Sequence, residues 1–300
     1  MTIVVGQALD TGDRGALALG GLLARSLATD VVVCGVLQHR WTGPTPAHAA
    51  AQREAATSFL TAARALLPAG VPATDDVRLA RSVPAALHDA ATEHAATTLV
   101  LGSSEDGVRG RIAVGSVADR VLHSSPVPVA IAPRGFSADG SGRLLTRVTV
   151  AVDSGPSSTE VLAMGAQMAH RAGVPLRMVT FAIRRKTMFP PEMGFDIEDS
   201  VLDAWREQAE AGQRRAVAEL SGRPDAAQLA PVDESAVVSG PSWEHAVADL
   251  DWQAGDVLLM GSSSESALTK VFLGSTATKL LRAATVPVIV LPRNRNPAVR

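Results

Sequence analysis

Two segments of the chain combine glycine and serine at the spacing of a loop that could bind an anion. Glycine lets the backbone approach a phosphate closely, and a serine at a helix start either donates its hydroxyl to an oxyanion or caps free backbone N–H groups. The helix N-terminus adds a partial positive charge, worth up to about 2 kcal/mol to an anion. A plain strand–loop–helix connection with a capping serine would use the same residues. The two segments read Gly102-x2-Glu105-x9-Gly115-Ser116 and Gly261-x2-Ser264-x9-Gly274-Ser275.

These segments belong to a repeat that runs through the whole chain. Residues 101–134 match residues 260–293 at an offset of 159, most clearly in the V-P-V segment near the end of each. The segments that open the two copies, 3–6 and 149–152, correspond at an offset of 146, so the second copy is 13 residues longer in its middle. We predict that the extra length forms a loop around 184–198, where two consecutive prolines interrupt any periodicity.

The length and charge of the chain fit two ordinary globular domains. At roughly 100–200 residues per domain, 300 residues predict two domains, and we place them at 1–138 and 143–300, on either side of a linker rich in glycine and serine. A net charge of -2, 3% aromatic residues and no tyrosine offer no surface for binding nucleic acid. Neither a signal-peptide pattern nor an apolar run of membrane length occurs, which predicts a cytoplasmic protein without a membrane partner.

Short apolar runs alternate with helical patterns in both copies. Apolar runs of this kind are typical of parallel strands that helices cover on both faces, so each copy is predicted to be a doubly wound α/β domain. Ligands of such sheets bind beyond the carboxyl ends of the strands, where the strand order reverses. The predicted strands are 2–6, 30–37, 75–80, 97–102 and 127–132, then 147–152, 175–182, 235–239, 256–261 and 286–291; the predicted helices of the first copy are 13–27, 46–66, 83–94 and 116–124.

The sequence lacks the motifs of several enzyme classes. It contains no GxxxxGK[ST], no HExxH and no Gly-x-Ser-x-Gly, and its histidines show no metal-ligand spacing. Because no nucleophile or general base can be named, we predict a protein that is not an enzyme and holds no protein-bound metal centre. The single cysteine, Cys34, lies in an apolar run and is expected to be a buried hydrophobic residue; a reactive thiol is the alternative.

The glycine–serine loop, followed by an apolar helix and a V-P-V strand, resembles the signature of the universal stress protein family. The resemblance covers both halves and implies two tandem adenine nucleotide alpha-hydrolase-like domains, Rossmann-like in fold and paired as a pseudo-two-fold intramolecular dimer. In ATP-binding members an aspartate after the first strand and a residue after the second contact adenosine, while the glycines and serine hold ribose and phosphates. The implied ligand positions are Asp153, Phe181, Gly261, Ser264, Gly274, Ser275 and Thr276 in the second half, and Val36, Gly102, Gly115, Ser116 and Val117 in the first.

Departures from the family pattern favour the second half as the nucleotide site. Gln7 stands in the first half where the family has its aspartate, and the second motif glycine is Glu105 in one copy and Ser264 in the other. At about 4 Å and an effective dielectric near 20, a carboxylate and a phosphate charge repel by roughly 4 kcal/mol. Arg109 and Arg111 either offset this repulsion or pair with the acidic residues of a solvated mixed-charge loop.

Two side chains of the second half have two interpretations each. Asp153 either contacts a nucleotide or caps the helix that follows its strand. Lys270, four residues before Gly274, either reaches a phosphate or lies on the surface.

Three functions are compatible with these residues. The first is a stress-response protein that binds ATP with Mg²⁺, or a related adenine nucleotide, mainly in the second domain and acts as a non-enzymatic regulatory module. The second is a member that has lost nucleotide binding and acts through protein association, and the third is a slow ATPase. The family resemblance implies pairing through the last strands, 127–131 and 286–290, which would join either the two halves or two chains. In all three functions a tandem chain can build the family's dimer internally, and a homodimer would need a second interface.

Overall fold

The computed structural model describes residues 1–10, 12–39, 46–138, 144–153, 155, 158–183, 195–262 and 273–292, and strands alternate with helices throughout them. The elements of the first half are β1 (Thr2–Gly6), α1 (Gly15–Leu27), β2 (Asp30–Gln38), α2 (Pro46–Arg64), β3 (Ala73–Ala80), α3 (Val83–Glu93), β4 (Ala96–Leu101), α4 (Ser116–Leu122) and β5 (Val129–Ile131). Those of the second half are β6 (Arg147–Ala151), α5 (Ser158–Ala172), β7 (Leu176–Ile183), α6 (Phe195–Ser221), β8 (Val232–Gly240), α7 (Trp243–Ala248), β9 (Asp256–Gly261), α8 (Ser275–Ala283) and β10 (Val288–Leu291), with a short 3₁₀ helix at Ala226–Gln228.

The strands of both halves form one ten-stranded sheet with the order β3-β2-β1-β4-β5-β10-β9-β6-β7-β8. Every pair within a half is parallel, whereas β5 and β10 pair antiparallel, with Ala130 opposite Ile289. Read inward from one edge, the order is β3-β2-β1-β4-β5, and from the other edge it is β8-β7-β6-β9-β10, which are the equivalent strands of the second half. The two halves are therefore related by a pseudo-two-fold axis at the β5–β10 seam. The predicted doubly wound fold, and the predicted pairing of the two halves through their last strands, are confirmed.

The strands form where the apolar runs occur, and prolines set the start of the shortest ones. β5 and β10 begin two residues later than predicted. Pro128 and Pro287 carry no backbone N–H, and their carbonyls instead accept hydrogen bonds from Leu99 and Leu258, each at 2.9 Å. Only the later parts of the predicted segments 127–132 and 286–291 are therefore strands. Most other predicted strand ends lie within two residues of the observed ones.

The helices cover both faces of the sheet and enclose a large apolar core on each, with a smaller third cluster between α7 and strands β7 and β8. Helices α1, α2, α5 and α6 pack on one face, and α3, α4, α7 and α8 pack on the other. Each large core contains residues of both halves, such as Val5 with Val150 on the first face and Val4 with Val290 on the second. The hydrophobic cores thus continue across the seam. The domain bounds at 138 and 143 stay a prediction, because residues 139–143 lie outside those described.

The predicted loop around 184–198 is wrong at its C-terminal end. Helix α6 begins at Phe195, so residues 195–198 are helical, and residues 184–194 lie outside those described. Much of the extra length of the second copy is helix, because α6 has 27 residues whereas α2 has 19.

A buried ion-pair cluster joins β6, β7 and β9 at the amino ends of these strands. Asp256, 1% exposed, accepts hydrogen bonds through Oδ2 from Arg147 Nη2 at 2.6 Å and from the Gln253 N–H at 3.0 Å. Arg177, also 1% exposed, lies with its Nη2 4.0 Å from the same oxygen and stacks on the Trp252 ring, with 4.8 Å between Cζ and the ring centroid. Burial, and then the charge of Arg147, lower the pKa of the Arg177 guanidinium. This cluster lies at the edge opposite to the predicted ligand sites.

Candidate functional sites at the carboxyl edge of the sheet

The first half contains a cavity of about 670 Å³ beyond the carboxyl ends of β1, β2 and β4. This position is the switch point of the half-sheet, because the strand order reverses between β1 and β4. The cavity is large enough for a small organic ligand. It is lined by every first-half position that the resemblance assigns to a ligand, together with Gln7 and Glu105: Val36, Gly102, Gly115, Ser116 and Val117.

Gln7 lines this cavity, and its side-chain carbonyl has no hydrogen-bond partner among the described residues. The side chain is 4% exposed, and its Nε2 donates to the carbonyls of Ala8 at 2.9 Å and Asp13 at 3.4 Å. Its Oε1 is buried and has no hydrogen-bond partner among the described residues. A buried acceptor without a partner is costly, so a donor from a ligand or from water would stabilise this position.

The loop between β4 and α4 is held by hydrogen bonds around Ser103 and Ser104. Ser103 Oγ accepts from the Ala113 N–H at 2.7 Å, and the Ser104 N–H donates to the Ala113 carbonyl at 2.8 Å. These bonds close the base of the loop and leave Glu105 exposed on it. An ideal Cβ on Gly115 would lie 3.4 Å from Ser104 Cβ, an ordinary contact distance.

The predicted pairing of the loop arginines with the loop acids is not observed. Glu105, Asp106 and Arg109 are exposed, and no ion pair joins them within the part of the chain that the structure describes. Arg111 instead crosses to the other half, where its Nη1 donates to the Ala283 carbonyl at the end of α8. The interpretation as a solvated mixed-charge loop therefore applies to Glu105, Asp106 and Arg109. It does not apply to Arg111, which contacts the other half. The sequence could not reveal this contact, because it depends on how the halves meet.

In the second half, Asp153 organises the turn that leads into α5. Its Oδ1 accepts from the Gly155 N–H at 2.8 Å and from Ser158 Oγ at 2.6 Å. These bonds lie in the turn before α5 and involve no backbone N–H of the helix, so the interpretation of Asp153 as a helix cap stays a prediction. The residue is exposed at the carboxyl edge of the sheet, and no described residue bonds to its Oδ2.

Phe181, at the end of β7, forms an aromatic pair that sequence reasoning missed. Its ring lies 6.1 Å from the ring of Trp243, centroid to centroid, at an angle of 49°. Trp243 is the first residue of α7, and the equivalent first residue of α3 is Val83, which lines the first-half cavity beside Val36. The available signal was the repeat itself, because it places a tryptophan in the second half where the first half has a valine.

The glycines of the motif, rather than its serines, stand at the N-caps of α4 and α8. Gly115 (φ -79°, ψ 170°) and Gly274 (φ -60°, ψ 160°) are the cap residues, and neither helix has a side-chain cap. Ser116 and Ser275 are the first helical residues and are exposed, so the capping role foreseen for them is wrong. Gly261 lies at the end of β9 and exposed Thr276 at the second position of α8, whereas Ser264 and Lys270 lie outside the described residues.

Other helix starts do have side-chain partners. Ser82 Oγ accepts from the Ala85 N–H in α3 and Ser242 Oγ from the His245 N–H in α7, each at 3.4 Å, and Asp13 Oδ1 accepts from the Gly15 N–H in α1 at 2.7 Å. The first N–H groups of a helix have no partner within the helix, so an uncapped start presents free donors. Among the described residues, no side chain caps α4 or α8, the two helices that follow the motif glycines.

Cys34 is buried, as predicted, although it borders the first-half cavity. The residue is 1% exposed, and burial followed by the negative charge of Asp76 raises the pKa of its thiol to about 12. The reactive form is the thiolate, which is scarce at neutral pH when the pKa is this high.

We therefore expect Cys34 to react with a thiol reagent at pH 8 far more slowly in the native protein than in urea. The pKa falls towards its usual value when unfolding exposes the thiol to water, so the folded protein should be protected by two orders of magnitude or more. Absorbance after addition of an aromatic disulfide reagent measures both rates. Equal rates would show that the thiol is accessible and ionised in the folded chain.

Within the described ranges, no group of three or more His, Cys, Asp or Glu side chains is placed to hold a metal ion. Among the helices described there, none combines the length and apolar character needed to span a bilayer.

The family model described as the Universal stress protein family matches the chain twice, over residues 1–133 and 145–292. The chain belongs to the universal stress protein family. Universal stress protein Rv2319c of Mycobacterium tuberculosis and universal stress protein Mb2346c of Mycobacterium bovis are each 38% identical to it over 300 residues, covering 97% of this chain and all of the relative. A universal stress protein from Archaeoglobus fulgidus has the same fold, with a TM-score of 0.60 at 18% identity and 98% of each chain covered. This tandem universal stress protein therefore has a role in the stress response.

Proposed function

We propose that this universal stress protein binds ATP with Mg²⁺, or a related adenine nucleotide, mainly in its second half, and acts in the cytoplasm as a non-enzymatic regulatory module. The observation that carries the proposal is the uncapped start of α8. The first intrahelical bond of α8 runs from the Thr278 N–H to the Gly274 carbonyl at 2.9 Å, and the Gly274 N–H donates to the Ser262 carbonyl at 3.4 Å. The N–H groups of Ser275, Thr276 and Ala277 have no acceptor among the described residues. Free N–H groups and the positive helix end together favour a phosphate.

Side chains near the carboxyl ends of β6 and β7 supply partners for the rest of a nucleotide. The Phe181–Trp243 pair offers aromatic surface against which a purine base can pack. Asp153 keeps an exposed carboxylate oxygen that can accept a hydrogen bond from a ribose hydroxyl, as acidic residues do in other doubly wound nucleotide-binding folds. Base, ribose and phosphate contacts thus come from the ends of β7, β6 and β9 in one half-sheet.

The charges of the first-half cavity explain why the proposal concerns mainly the second half. Glu105 and Asp106 line that cavity next to Gly115 and Ser116, where phosphates would lie if the copies were used alike. Repulsion of roughly 4 kcal/mol per close pair, less with solvent screening, offsets most of what a helix start contributes.

Calorimetric titration with ATP and Mg²⁺ tests the proposal. We expect one binding event per chain, because only one half is suited to phosphate. Gly274→Val places a branched side chain at the N-cap of α8 and should abolish binding. Gly115→Val makes the same change in the first half, where a Cβ has room, and should leave the affinity unchanged.

The contrary results are equally specific. If no heat is released up to millimolar ATP, the protein does not bind the nucleotide and association with other proteins becomes the better proposal. Steady phosphate release that a single substitution abolishes would instead indicate an ATPase.

A further inference from the structure

We propose that the first-half cavity binds a small organic cation, namely a primary ammonium group attached to an apolar body, and does not bind phosphate. This inference does not depend on the proposed nucleotide site, since it concerns the other half of the sheet. It follows from three features of the cavity: its charge, its hydrogen-bonding groups and its apolar wall.

The charge of the cavity is negative. Four carboxylates line it, those of Asp10, Asp13, Glu105 and Asp106, and within the described chain no lysine, arginine or histidine does. Asp13 is engaged with the Gly15 N–H, whereas the other three are exposed. Each exposed charge contributes little alone, but all four have one sign and surround one volume, so they favour a cation and oppose an anion.

The side chains of the cavity mainly accept hydrogen bonds. Gln7 Oε1 is buried without a partner, and the four carboxylates can only accept at neutral pH. Ser103 lies 3.3 Å from the Arg111 carbonyl, to which its hydroxyl donates, and Gln38 Nε2 donates to the Arg81 carbonyl at 3.0 Å. The start of α4 adds backbone N–H donors to the lining, so the acceptors belong to the side chains around Gln7. A ligand that meets these side-chain acceptors must bring donors, and an ammonium group brings three. A phosphate brings further acceptors.

The remaining wall of the cavity is apolar. The wall is formed by Val36 near the end of β2, by Val83 and Leu87 in the first half of α3, and by Leu101 at the end of β4. A ligand with an apolar body can remove this surface from water while its ammonium group faces Gln7.

A neighbouring depression of about 500 Å³ is lined by more positive than negative side chains. Arg14, Arg109 and Arg134 line it, and it shares Asp13 and Glu105 with the cavity. These arginines do not line the cavity itself. The two shared carboxylates therefore lie at the boundary between the cavity and the depression. An experiment must distinguish a cation bound in the cavity from an anion bound by these arginines.

The experiment compares three probes that differ only in their end group: 3-phenylpropylamine, 3-phenylpropanol and 3-phenylpropanoate. Titration of the full-length protein is followed by NMR at the side-chain amide of Gln7, which reports on this cavity alone. We expect the amine to bind at least about tenfold more tightly than the carboxylate, with the alcohol between them. Millimolar ATP with Mg²⁺ should not displace the amine.

Two variants locate the effect. Glu105→Gln removes an exposed charge and should weaken amine binding about two- to fivefold, whereas the matched variant Arg109→Gln, on the same loop, should not weaken it. Gln7→Leu removes the unsatisfied acceptor and should weaken binding by about tenfold, measured through the backbone amides of the neighbouring loop, with a thermal melt to establish that the variant is folded.

Three results would overturn the proposal. The first is carboxylate binding as tight as amine binding and dependent on Arg109, which would assign the site to anions. The second is displacement of the amine by ATP, which would make the cavity a nucleotide site. The third is the absence of any shift at millimolar amine.

Discussion

Replacing Asp256 by alanine is expected to lower the free energy of unfolding by about 3–5 kcal/mol. The Asp256 carboxylate accepts hydrogen bonds from Arg147, the Gln253 N–H and Thr146, the last at 2.9 Å. Without it, the buried guanidinium of Arg177 would keep only its bonds to Thr149 Oγ1 and the Asp251 carbonyl and its contact with Trp252. An uncompensated buried charge is among the most destabilising outcomes of a point substitution.

Urea denaturation of the wild type and the variant measures this effect. Asp251→Ala provides the control, because this exposed side chain is not bonded to the cluster and its removal should change stability by less than about 0.5 kcal/mol. The double variant Asp256→Ala with Arg177→Met should recover much of the lost stability, since it removes the stranded charge along with its partner. A change below about 1 kcal/mol for Asp256→Ala would show that the cluster contributes little.

Replacing Thr276 by glutamate is expected to weaken ATP binding about a hundredfold or more. Thr276 is exposed at the second position of α8, beside the free N–H groups proposed to hold phosphate. A carboxylate there would lie near the phosphates, and like charges at about 4 Å repel by roughly 4 kcal/mol at an effective dielectric near 20, where each 1.4 kcal/mol is a factor of about ten. The helix itself should be retained, because an acidic side chain in the first turn stabilises it.

Calorimetry on Thr276→Glu and on its neutral counterpart Thr276→Gln separates charge from shape. The glutamine variant should bind ATP within about threefold of the wild type, and high salt should narrow the gap between the two variants. If the two variants bind ATP equally well, the phosphates do not lie at the start of α8, and the nucleotide proposal would need a different orientation of the ligand.

The strands and the seam could be predicted because local signals determine them. Runs such as 257–260 are apolar at every residue, and the matched V-P-V segments mark one pairing strand in each half. The start of α6 could not be predicted as well, because Pro190 and Pro191 indicate a loop and lie only a few residues before Phe195, where the helix begins. Local sequence is a weak guide where breakers and helix signals are adjacent.

The candidate sites were predicted residue by residue only where they lie on the repeat. Gly102, Gly115 and Val36 line one cavity because parallel strands bring their carboxyl ends to one edge. Trp243 was missed because its partner Phe181 lies 62 residues earlier in the chain, and the Arg111–Ala283 contact was missed because it crosses between halves. Long-range contacts of this kind depend on the packing of complete elements, which the spacing of residues does not encode.

The β5–β10 seam has a consequence for how the two sites can change. In a homodimer with two-fold symmetry, one gene encodes both copies of a surface, so every substitution alters both sites at once. Here the two copies are separate stretches of one polypeptide, and their pairing does not depend on protein concentration. The first half can therefore have Glu105 in its cavity while the second half has Asp153 and Trp243. The two sites of a single molecule can in this way acquire different ligands.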